Sequence, residues 1–462
     1  MGEIPAGALR SCSGMNIGIV LTGGLILADP ASPEVVPHGT TVISGNRLVL
    51  VNAPIHSQPP SDLVIDCSGC LIMPGLVNAH THAAMSLLRG IADDIPLDEW
   101  LNKYIFPSEA KHVAPGFVYL GTKLSAAEMV LGGITTFADG YFYMEEAARA
   151  SVEVGLRAVI AQGILDVPVP DAPVPGSWRE RASAFLAACP EDDLITPALF
   201  CHSPYLCSPE TFHGAYELAR AGHSLLFSHV SETAREVGEI RRRYGLSPVE
   251  HLSGLGILGE GFVAVHGVHL SQAEMDLLAE SGTGVVHCPE SNMKLSSGAA
   301  DVRGLQSRGI AVALGTDGAA SNNNLDLFEE MRSASLMAKL VTGDPEALDA
   351  RTAIRMATID GARVLGLDAQ IGSIELGKLG DLIVVDLDRL HLTPVYDPLS
   401  HLVYAAKGSD VRHVIVNGKL VVHDRRILTV DERQLRNAVH AKAAEIAADL
   451  GIKAYGVGTG DD

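Results

Sequence analysis

Histidines and carboxylates end several short apolar runs in the middle of the chain. His80 and His82 are two residues apart, so on an extended strand their side chains point the same way and can bind one cation together. His229 and Asp317 end two other runs and complete a set of three imidazoles and one carboxylate. Such a set suits a borderline divalent ion, with zinc favoured over iron, manganese or nickel.

The run that ends at His202 indicates how many ions to expect. A carbamylated lysine in this run would bridge two metals, but no lysine lies between Lys123 and Lys294. The sequence therefore predicts one ion per subunit and metal-assisted hydrolysis as the chemistry. Such an ion lowers the pKa of a bound water from about 15.7 to about 7, which makes a nucleophile available at neutral pH.

Four residues are candidates for proton transfer to the substrate or for its orientation. Glu232 follows His229 by three residues, and we expect it to protonate a ring nitrogen and then help ammonia leave. The alternative interpretation of Glu232 is a carboxylate at a helix N-terminus. Asp317 would accept a proton from the water. His266 would orient the nucleophile or polarise the substrate, and His287 is the alternative for that place.

Eight apolar, β-branched runs alternate with helical stretches and carry these side chains. Strands that alternate with helices predict a parallel sheet covered on both faces, and eight of them predict a closed (β/α)8 barrel. The polar residues end the runs, at the face where such barrels assemble active sites. An open doubly wound sheet is the alternative, but no Gly-rich phosphate turn follows the first run. The runs are Leu71–Asn78, Ile134–Asp139, Arg157–Leu165, Thr196–His202, Leu225–His229, Phe262–His266, Gly284–His287 and Ala311–Gly315.

Both ends of the chain differ from the middle. Residues 16–70 and about 370–430 contain short apolar runs separated by Gly, Asn and Pro turns, which predicts one small β-sandwich built from both ends. An Ala-rich segment with helical periodicity follows. The predicted domains are residues 1–70 and 368–430 for the two parts of the β-sandwich, 71–367 for the metal-dependent barrel, and 431–462 for a C-terminal helix and tail.

Composition and charge exclude several classes of protein. The 462 residues are 47% hydrophobic and 19% charged, which excludes a disordered or fibrous chain. The net charge of −21 repels phosphate, so we expect a small-molecule partner and neither nucleic acid nor a membrane. The odd number of cysteines, seven, does not suit a disulfide framework. Because no basic signal segment or bilayer-length apolar run is found either, the sequence indicates a cytoplasmic protein.

Four motifs carry a resemblance to the amidohydrolase superfamily that extends over nearly the whole chain. Within the superfamily, the sequence is similar to the methylthioadenosine/S-adenosylhomocysteine deaminases, and chlorohydrolases and guanine deaminases are near relatives. The resemblance implies a metal at His80, His82, His229 and Asp317, with Glu232 as the proton shuttle, and a homo-oligomer. The motifs are Pro74–His82, His229–Thr233, Val286–Asn292 and Leu314–Gly318.

The same resemblance implies contacts to a nucleoside substrate and a place for His266 beside the nucleophile. Glu109 would bind ribose hydroxyls, and His202 would also contact the nucleoside. Trp100 would cover the substrate, although a lone tryptophan is as often a packing residue.

One departure from the family's pattern bears on the substrate. Relatives that use S-adenosylhomocysteine place an arginine on the loop of the third strand, where this chain has Gln162. Arg179 or Arg181 is the candidate replacement. A neutral amide cannot replace a bidentate guanidinium, so we expect methylthioadenosine or adenosine to be preferred over S-adenosylhomocysteine.

Two other functions stay open at this point. The first is another amidohydrolase reaction on an aminated or halogenated ring, such as a guanine, pterin or aminofutalosine deaminase or a chlorohydrolase. The second is an assembly or binding protein that has lost catalysis. A protein that has lost catalysis would be expected to have lost one or more metal ligands, and this sequence has the full set.

Overall fold

The computed structural model describes residues 17–32, 34–54, 61–95, 97–189 and 192–455. In chain order, the strands are β1 (Ile17–Thr22), β2 (Leu25–Ile26), β3 (Gly39–Ser44), β4 (Arg47–Pro54), β5 (Leu63–Asp66), β6 (Cys70–Pro74), β7 (Leu76–Thr81), β8 (Ile134–Tyr141), β9 (Arg157–Ile164), β10 (Ile195–Cys201), β11 (Leu226–Val230), β12 (Phe262–His266), β13 (Gly284–His287), β14 (Val312–Leu314), β15 (Leu382–Asp386), β16 (Val411–Val416), β17 (Lys419–His423) and β18 (Arg426–Ile427).

Helices connect most of these strands. The α-helices are α1 (Leu97–Trp100), α2 (Phe106–His112), α3 (Pro115–Leu131), α4 (Met144–Val154), α5 (Trp178–Ala188), α6 (Pro209–Ala221), α7 (Ala234–Tyr244), α8 (Pro248–Gly254), α9 (Gln272–Ser281), α10 (Pro289–Lys294), α11 (Val302–Ser307), α12 (Leu327–Thr342), α13 (Ala350–Met356), α14 (Ile359–Val364), α15 (Pro398–Tyr404) and α16 (Glu432–Leu450). In the described part of the chain, no helix has both the length and the apolar character needed to cross a bilayer.

Strands β7 to β14 form one parallel sheet in which neighbours in space are neighbours in sequence. Helices lie between the strands and cover the outside, so the predicted (β/α)8 fold is confirmed. The interior is filled by buried side chains that alternate along the strands, among them Val159, Ala161, Phe200, Phe227 and Val263. The barrel interior is therefore a packed core.

The barrel closes between its first and last strands, β7 and β14. The Asn78 side chain crosses this seam: its Nδ2 donates to Thr316 Oγ1 over 2.8 Å, and its Oδ1 accepts from the Thr316 amide over 3.0 Å. The Asp317 amide donates to the carbonyl of His80 over 3.0 Å. A Cβ at Gly315 would lie 2.9 Å from the Cβ of His80, so glycine permits this close approach. The seam brings Asp317 beside His80.

Two further sheets lie outside the barrel. One has the strand order β4-β3-β1-β5, and the other has the order β18-β17-β16-β15-β6-β2. The second sheet combines strands from the two ends of the chain, because β6 pairs antiparallel with β15. A β unit built from both ends was predicted, and this part of the fold prediction is confirmed.

The first predicted barrel strand, Leu71–Asn78, is corrected by the structure. Its first half belongs to β6 and pairs with Leu382–Asp386 in the outer sheet, whereas the barrel begins at Leu76. Gly75 separates the two strands, and a Cβ there would lie 2.0 Å from the Thr135 side chain. Both strands are fully buried, so the apolar run continues across the boundary without a change in pattern.

A buried ion pair joins the amino end of the barrel to the outer sheet. Arg157 opens β9, and its Nε donates to Asp381 Oδ2 over 2.8 Å. A second guanidinium nitrogen donates to the other carboxylate oxygen over 3.2 Å, and a third donates to the Asp193 carbonyl over 2.7 Å. The amide of Asn417 also donates to Asp381. The three guanidinium nitrogens of Arg157 and both carboxylate oxygens of Asp381 thus have protein partners.

Candidate active site

Three histidines meet at the carboxyl end of the barrel. His80 lies on β7, His82 follows that strand, and His229 lies on β11. One ring nitrogen of each lies within 4.8 Å of the other two. His82 Nδ1 lies 2.6 Å from the Gly140 carbonyl; with its proton there it donates to that oxygen, which leaves the Nε2 lone pair for a cation.

Asp317 adds a carboxylate to the three imidazoles. Its Oδ1 lies 3.4 Å from the Nε2 atoms of both His80 and His82. Its Oδ2 accepts hydrogen bonds from the hydroxyls of Ser291 over 2.6 Å and Ser321 over 3.1 Å. The two serines therefore hold one oxygen and leave the other directed at the histidines.

The protonation states of these groups fit a divalent cation. Burial lowers the pKa of His80 to about 4 and the pKa of His229 well below its usual value, so both rings are neutral at pH 7 and offer lone pairs. Burial raises the pKa of Asp317, but the neighbouring His80 and His82 outweigh it and hold the pKa well below its usual range. The Nε2 of His80 has no hydrogen-bond partner among the described residues. A set of nitrogen donors with one carboxylate fits a divalent metal.

Glu232, which follows β11, and His266, the last residue of β12, lie beside this cluster. Glu232 Oε2 is 3.9 Å from His266 Nε2. The His266 ring centroid is 5.1 Å from that of His229, and its Nδ1 lies 3.1 Å from Asn292 Oδ1. A proton on Nδ1 would donate to Asn292 and leave Nε2 as an acceptor toward the cluster. The pair can therefore exchange protons with a group held between it and the histidines.

The backbone is left-handed at three positions around the cluster. The φ angles are +53° at Ser231, +76° at His266 and +60° at Asp317. None of the three is glycine, and such angles are uncommon for residues with a Cβ. Strained backbone of this kind collects at functional sites, where the surroundings must enforce it.

Helix α2 brings Glu109 to the end of β8. The hydroxyl of Tyr141, the last residue of β8, donates to Glu109 Oε1 over 2.5 Å. Burial raises the pKa of Glu109. On the other side of the cluster, the His202 ring centroid lies 4.8 Å from that of His229, and burial lowers the pKa of His202 to about 3. The structure thus brings Glu109 and His202 to the same end of the barrel as the histidines.

Gln162 and Arg181 lie in one polar network at the end of β9. Gln162 Nε2 donates to Asp171 Oδ2 over 3.0 Å, and Arg181 Nε donates to the same oxygen over 2.9 Å. The Arg181 guanidinium also pairs with Glu145. Two carboxylates therefore balance the charge of Arg181 and fix its orientation.

The remaining predicted residues lie in different surroundings. Arg179 packs over the Trp178 ring at 5.3 Å and lies against Gly214 of α6, in the helical layer. Trp100 is buried in the apolar core. His287 ends β13 fully buried, and neither ring nitrogen has a partner among the described residues. The structure does not bring Arg179 to the histidine cluster.

Sequence reasoning missed several residues that hold the site. Ser291 and Asn292 lie within a motif that was recognised, but their hydrogen bonds to Asp317 and His266 were not inferred. Ser321 and Tyr141 gave no signal. The sequence did contain a signal for Glu236. It lies four residues after Glu232, which is the spacing at which side chains on a helix interact. The structure begins α7 at Ala234 with Thr233 as its N-cap, so Glu232 precedes the helix.

Comparison with known proteins agrees with this geometry. Residues 71–421 match the model of the Amidohydrolase family. A 5-methylthioadenosine/S-adenosylhomocysteine deaminase of Syntrophobacter fumaroxidans is 44% identical over 431 residues, which cover 93% of this chain and 98% of the relative. A 5'-deoxyadenosine deaminase of Methanothermobacter thermautotrophicus is 44% identical over 433 residues, 93% of this chain and 99% of that relative.

A solved structure is similar over almost its whole length. It is a zinc-bound adenosine deaminase from Xanthomonas campestris, with 37% sequence identity and a TM-score of 0.92. The similarity covers 94% of this chain and 99% of that one.

Proposed function

Since the chain belongs to the amidohydrolase family, we propose that it is a metal-dependent hydrolytic deaminase of adenine nucleosides that releases ammonia. The carboxyl end of the barrel carries this proposal, because Glu232 lies 3.9 Å from His266 Nε2 beside a cluster of three histidines. Such a carboxylate can act as the general acid for a ring nitrogen that must gain a proton. The names of the two relatives and the solved structure support adenine nucleosides as the substrate class.

We assign the metal site to His80, His82, His229 and Asp317. The neutral imidazoles, the ionised carboxylate and the unpartnered Nε2 of His80 support one ion per subunit, and the zinc in the similar adenosine deaminase supports zinc. A divalent ion bound there supplies the Lewis acidity that makes water a nucleophile at neutral pH.

The side chains of the protein then move the protons. The water oxygen forms a bond to the ring carbon that carries the amino group, and the bond from that carbon to the amino nitrogen breaks. One of the two water protons ends on the adjacent ring nitrogen, delivered by Glu232, and the other leaves with ammonia. Asp317 accepts a proton from the water, and His266 orients the nucleophile through its Nε2. The products are ammonia and the inosine analogue.

Recognition of the sugar is assigned to the residues beside the cluster. Glu109 has one oxygen bound to the Tyr141 hydroxyl, which leaves the second oxygen to accept from a ribose hydroxyl. His202, beside His229, is assigned a contact to the nucleoside. Trp100 ends α1 and is buried in the apolar core.

The polar network at Gln162 favours substrates without a carboxylate on their 5′ group. Arg181 is committed to Asp171 and Glu145, and Arg179 packs in the helical layer. A substrate carboxylate would lack the charge-assisted hydrogen bonds that contribute about 1.5–3 kcal/mol each. We expect methylthioadenosine, 5′-deoxyadenosine or adenosine to exceed S-adenosylhomocysteine by about tenfold or more in kcat/KM. Equal values would contradict this preference.

The test is ammonia release by the metal-loaded protein from these four nucleosides and from guanine, with Glu232→Gln as the control. We expect release from the nucleosides, its loss in the variant, and no release from guanine. Release from guanine alone, or from none of the compounds while one metal per chain is bound, would overturn the proposal in favour of another aminated or halogenated ring.

A further inference from the structure

The two residues that follow β11 form an irregular connection to α7. Ser231 has a φ of +53°, and its carbonyl accepts from the His269 amide over 2.9 Å. Glu232 comes next and carries the carboxylate near His266. The position of this carboxylate depends on a backbone conformation that a residue with a Cβ does not favour.

The Glu236 carboxylate binds both amides of this connection. Its Oε1 accepts from the Ser231 amide and its Oε2 from the Glu232 amide, each over 2.8 Å. Glu236 is 4% exposed, and its backbone amide donates to Thr233 Oγ1 over 3.1 Å. One carboxylate thus fixes two consecutive peptide groups, including the one that carries Glu232.

Two other helices in the chain show what an ordinary arrangement looks like. At the start of α8 and of α9, a glutamate three residues after the N-cap accepts from the amide of the N-cap itself: Glu250 from Ser247 and Glu274 from Ser271, each over 2.8 Å. These are reciprocal capping boxes. Glu236 is also three residues after its N-cap, but its carboxylate passes Thr233 and binds the two preceding amides.

Helix initiation does not require this departure. The N-cap of helix α6 is Ser208, whose hydroxyl accepts from the Thr211 amide, and no glutamate completes this cap. Burial raises the pKa of Glu236, while its hydrogen bonds from the Ser231 and Glu232 amides oppose the rise, so an ionised carboxylate in this place is costly for the fold. A costly buried group that binds the backbone of a reactive residue is typical of support for an active site.

We propose that Glu236 is a positioning residue that holds the Glu232 carboxylate at the distance needed for proton transfer to the substrate ring. The inference rests on the proposed function, because it assigns Glu232 the proton shuttle. Glu236 itself touches neither substrate nor metal in this assignment, so it acts only through Glu232.

The test is the steady-state kinetics of Glu236→Gln with Glu274→Gln as the matched control. The amide of the glutamine can accept only one of the two hydrogen bonds, so the loop shifts. We expect kcat to fall by about tenfold to a hundredfold, since a displacement near 1 Å can cost up to about a hundredfold, with KM within threefold and the metal content unchanged. Glu274→Gln removes an equally buried carboxylate from an ordinary box, and kcat should stay within twofold of the wild type.

A double variant separates positioning from general support of the fold. In the Glu232→Gln background, Glu236→Gln should reduce kcat no further, because residues that act as one unit are not additive. A further loss, a loss of metal, or an equal loss in Glu274→Gln would overturn the proposal. Glu236→Asp, which keeps the charge but shortens the reach, replaces the glutamine variant if that variant does not fold, and the same losses are expected.

The two proposals can fail separately. A wild type that deaminates its nucleosides while Glu236→Gln keeps full kcat would overturn the positioning role alone. A wild type that deaminates none of the nucleosides would overturn the proposed function and this inference with it.

Discussion

The two ends of the barrel both bury charged and polar groups, but they satisfy them differently. At the amino end, Arg157 and Asp381 bind each other and the backbone around them, so that each polar atom has a protein partner. At the carboxyl end, His80 Nε2 and both nitrogens of His287 lack partners among the described residues. A buried polar group without a partner is unfavourable unless a ligand completes it. The Arg157–Asp381 pair is therefore complete without a ligand, whereas the histidines at the carboxyl end keep ring nitrogens that a ligand could complete.

The largest effect is expected when one of the histidines at the carboxyl end of the barrel is removed. His80→Asn should lose the bound metal and reduce ammonia release to background, because a ligand is lost from a set of four. Metal analysis and the ammonia assay, run on the same sample, measure both. A variant that keeps one ion per chain and full turnover would show that His80 is not a ligand.

Glu232→Gln should give the next largest effect on turnover. Loss of a general acid typically reduces kcat by about 10²- to 10⁴-fold. The metal content should remain at the wild-type level, because this side chain lies outside the assigned ligand set. Loss of metal together with activity would mean that the variant disturbs the ligands and does not report on proton transfer.

Ser291→Ala tests a residue that orients the Asp317 carboxylate through a hydrogen bond. The variant frees Asp317 Oδ2 from its shorter hydrogen bond, and groups that orient metal ligands contribute about 10- to 100-fold to affinity or activity. We expect a loss of that size in kcat or in zinc affinity, measured by titration with a competing chelator. If kcat and zinc affinity both stay at wild-type values, Ser291 does not orient Asp317 for its role in the site.

The smallest effect on turnover is expected at the amino end of the barrel, where Arg157 pairs with Asp381. Asp381→Ala leaves the buried Arg157 guanidinium without its partner, which should destabilise the protein by about 3–5 kcal/mol. The kcat of the folded protein should stay within twofold of the wild type. Denaturant unfolding and the ammonia assay measure the two quantities. The double variant Arg157→Met with Asp381→Leu should recover most of the stability. A large loss of kcat in this variant or in Asp381→Ala would show that the amino end also contributes to turnover.

The sequence predicted the barrel well where a strand has clear limits. Phe262–His266 and Gly284–His287 agree residue for residue with β12 and β13, because glycine or a polar residue stands at their ends. The run Leu71–Asn78 failed, since β6 and β7 are both fully buried and no change in periodicity marks the passage from one sheet to the other.

The same distinction applies to the site. Ends of strands indicate which face a side chain occupies, so the gathering of His80, His82, His229 and Asp317 could be predicted. Hydrogen bonds between loops could not be predicted from the sequence. Gln162 is separated from Asp171 by an irregular loop, and nothing in their spacing indicates that the two side chains pair. Such contacts depend on loop conformations that local sequence patterns do not determine.

The seam between β7 and β14 has a consequence for the order in which the protein forms. Asn78 binds Thr316 across the closure, 238 positions along the chain, and Asp317 reaches His80 only through that closure. Domains emerge from the ribosome with their amino end first, and contacts of such long range form late in folding. During synthesis, His80 and His82 are therefore exposed well before their carboxylate partner exists. The four residues proposed as metal ligands come together only when the last strand has closed the barrel, so tight metal binding would report a finished barrel.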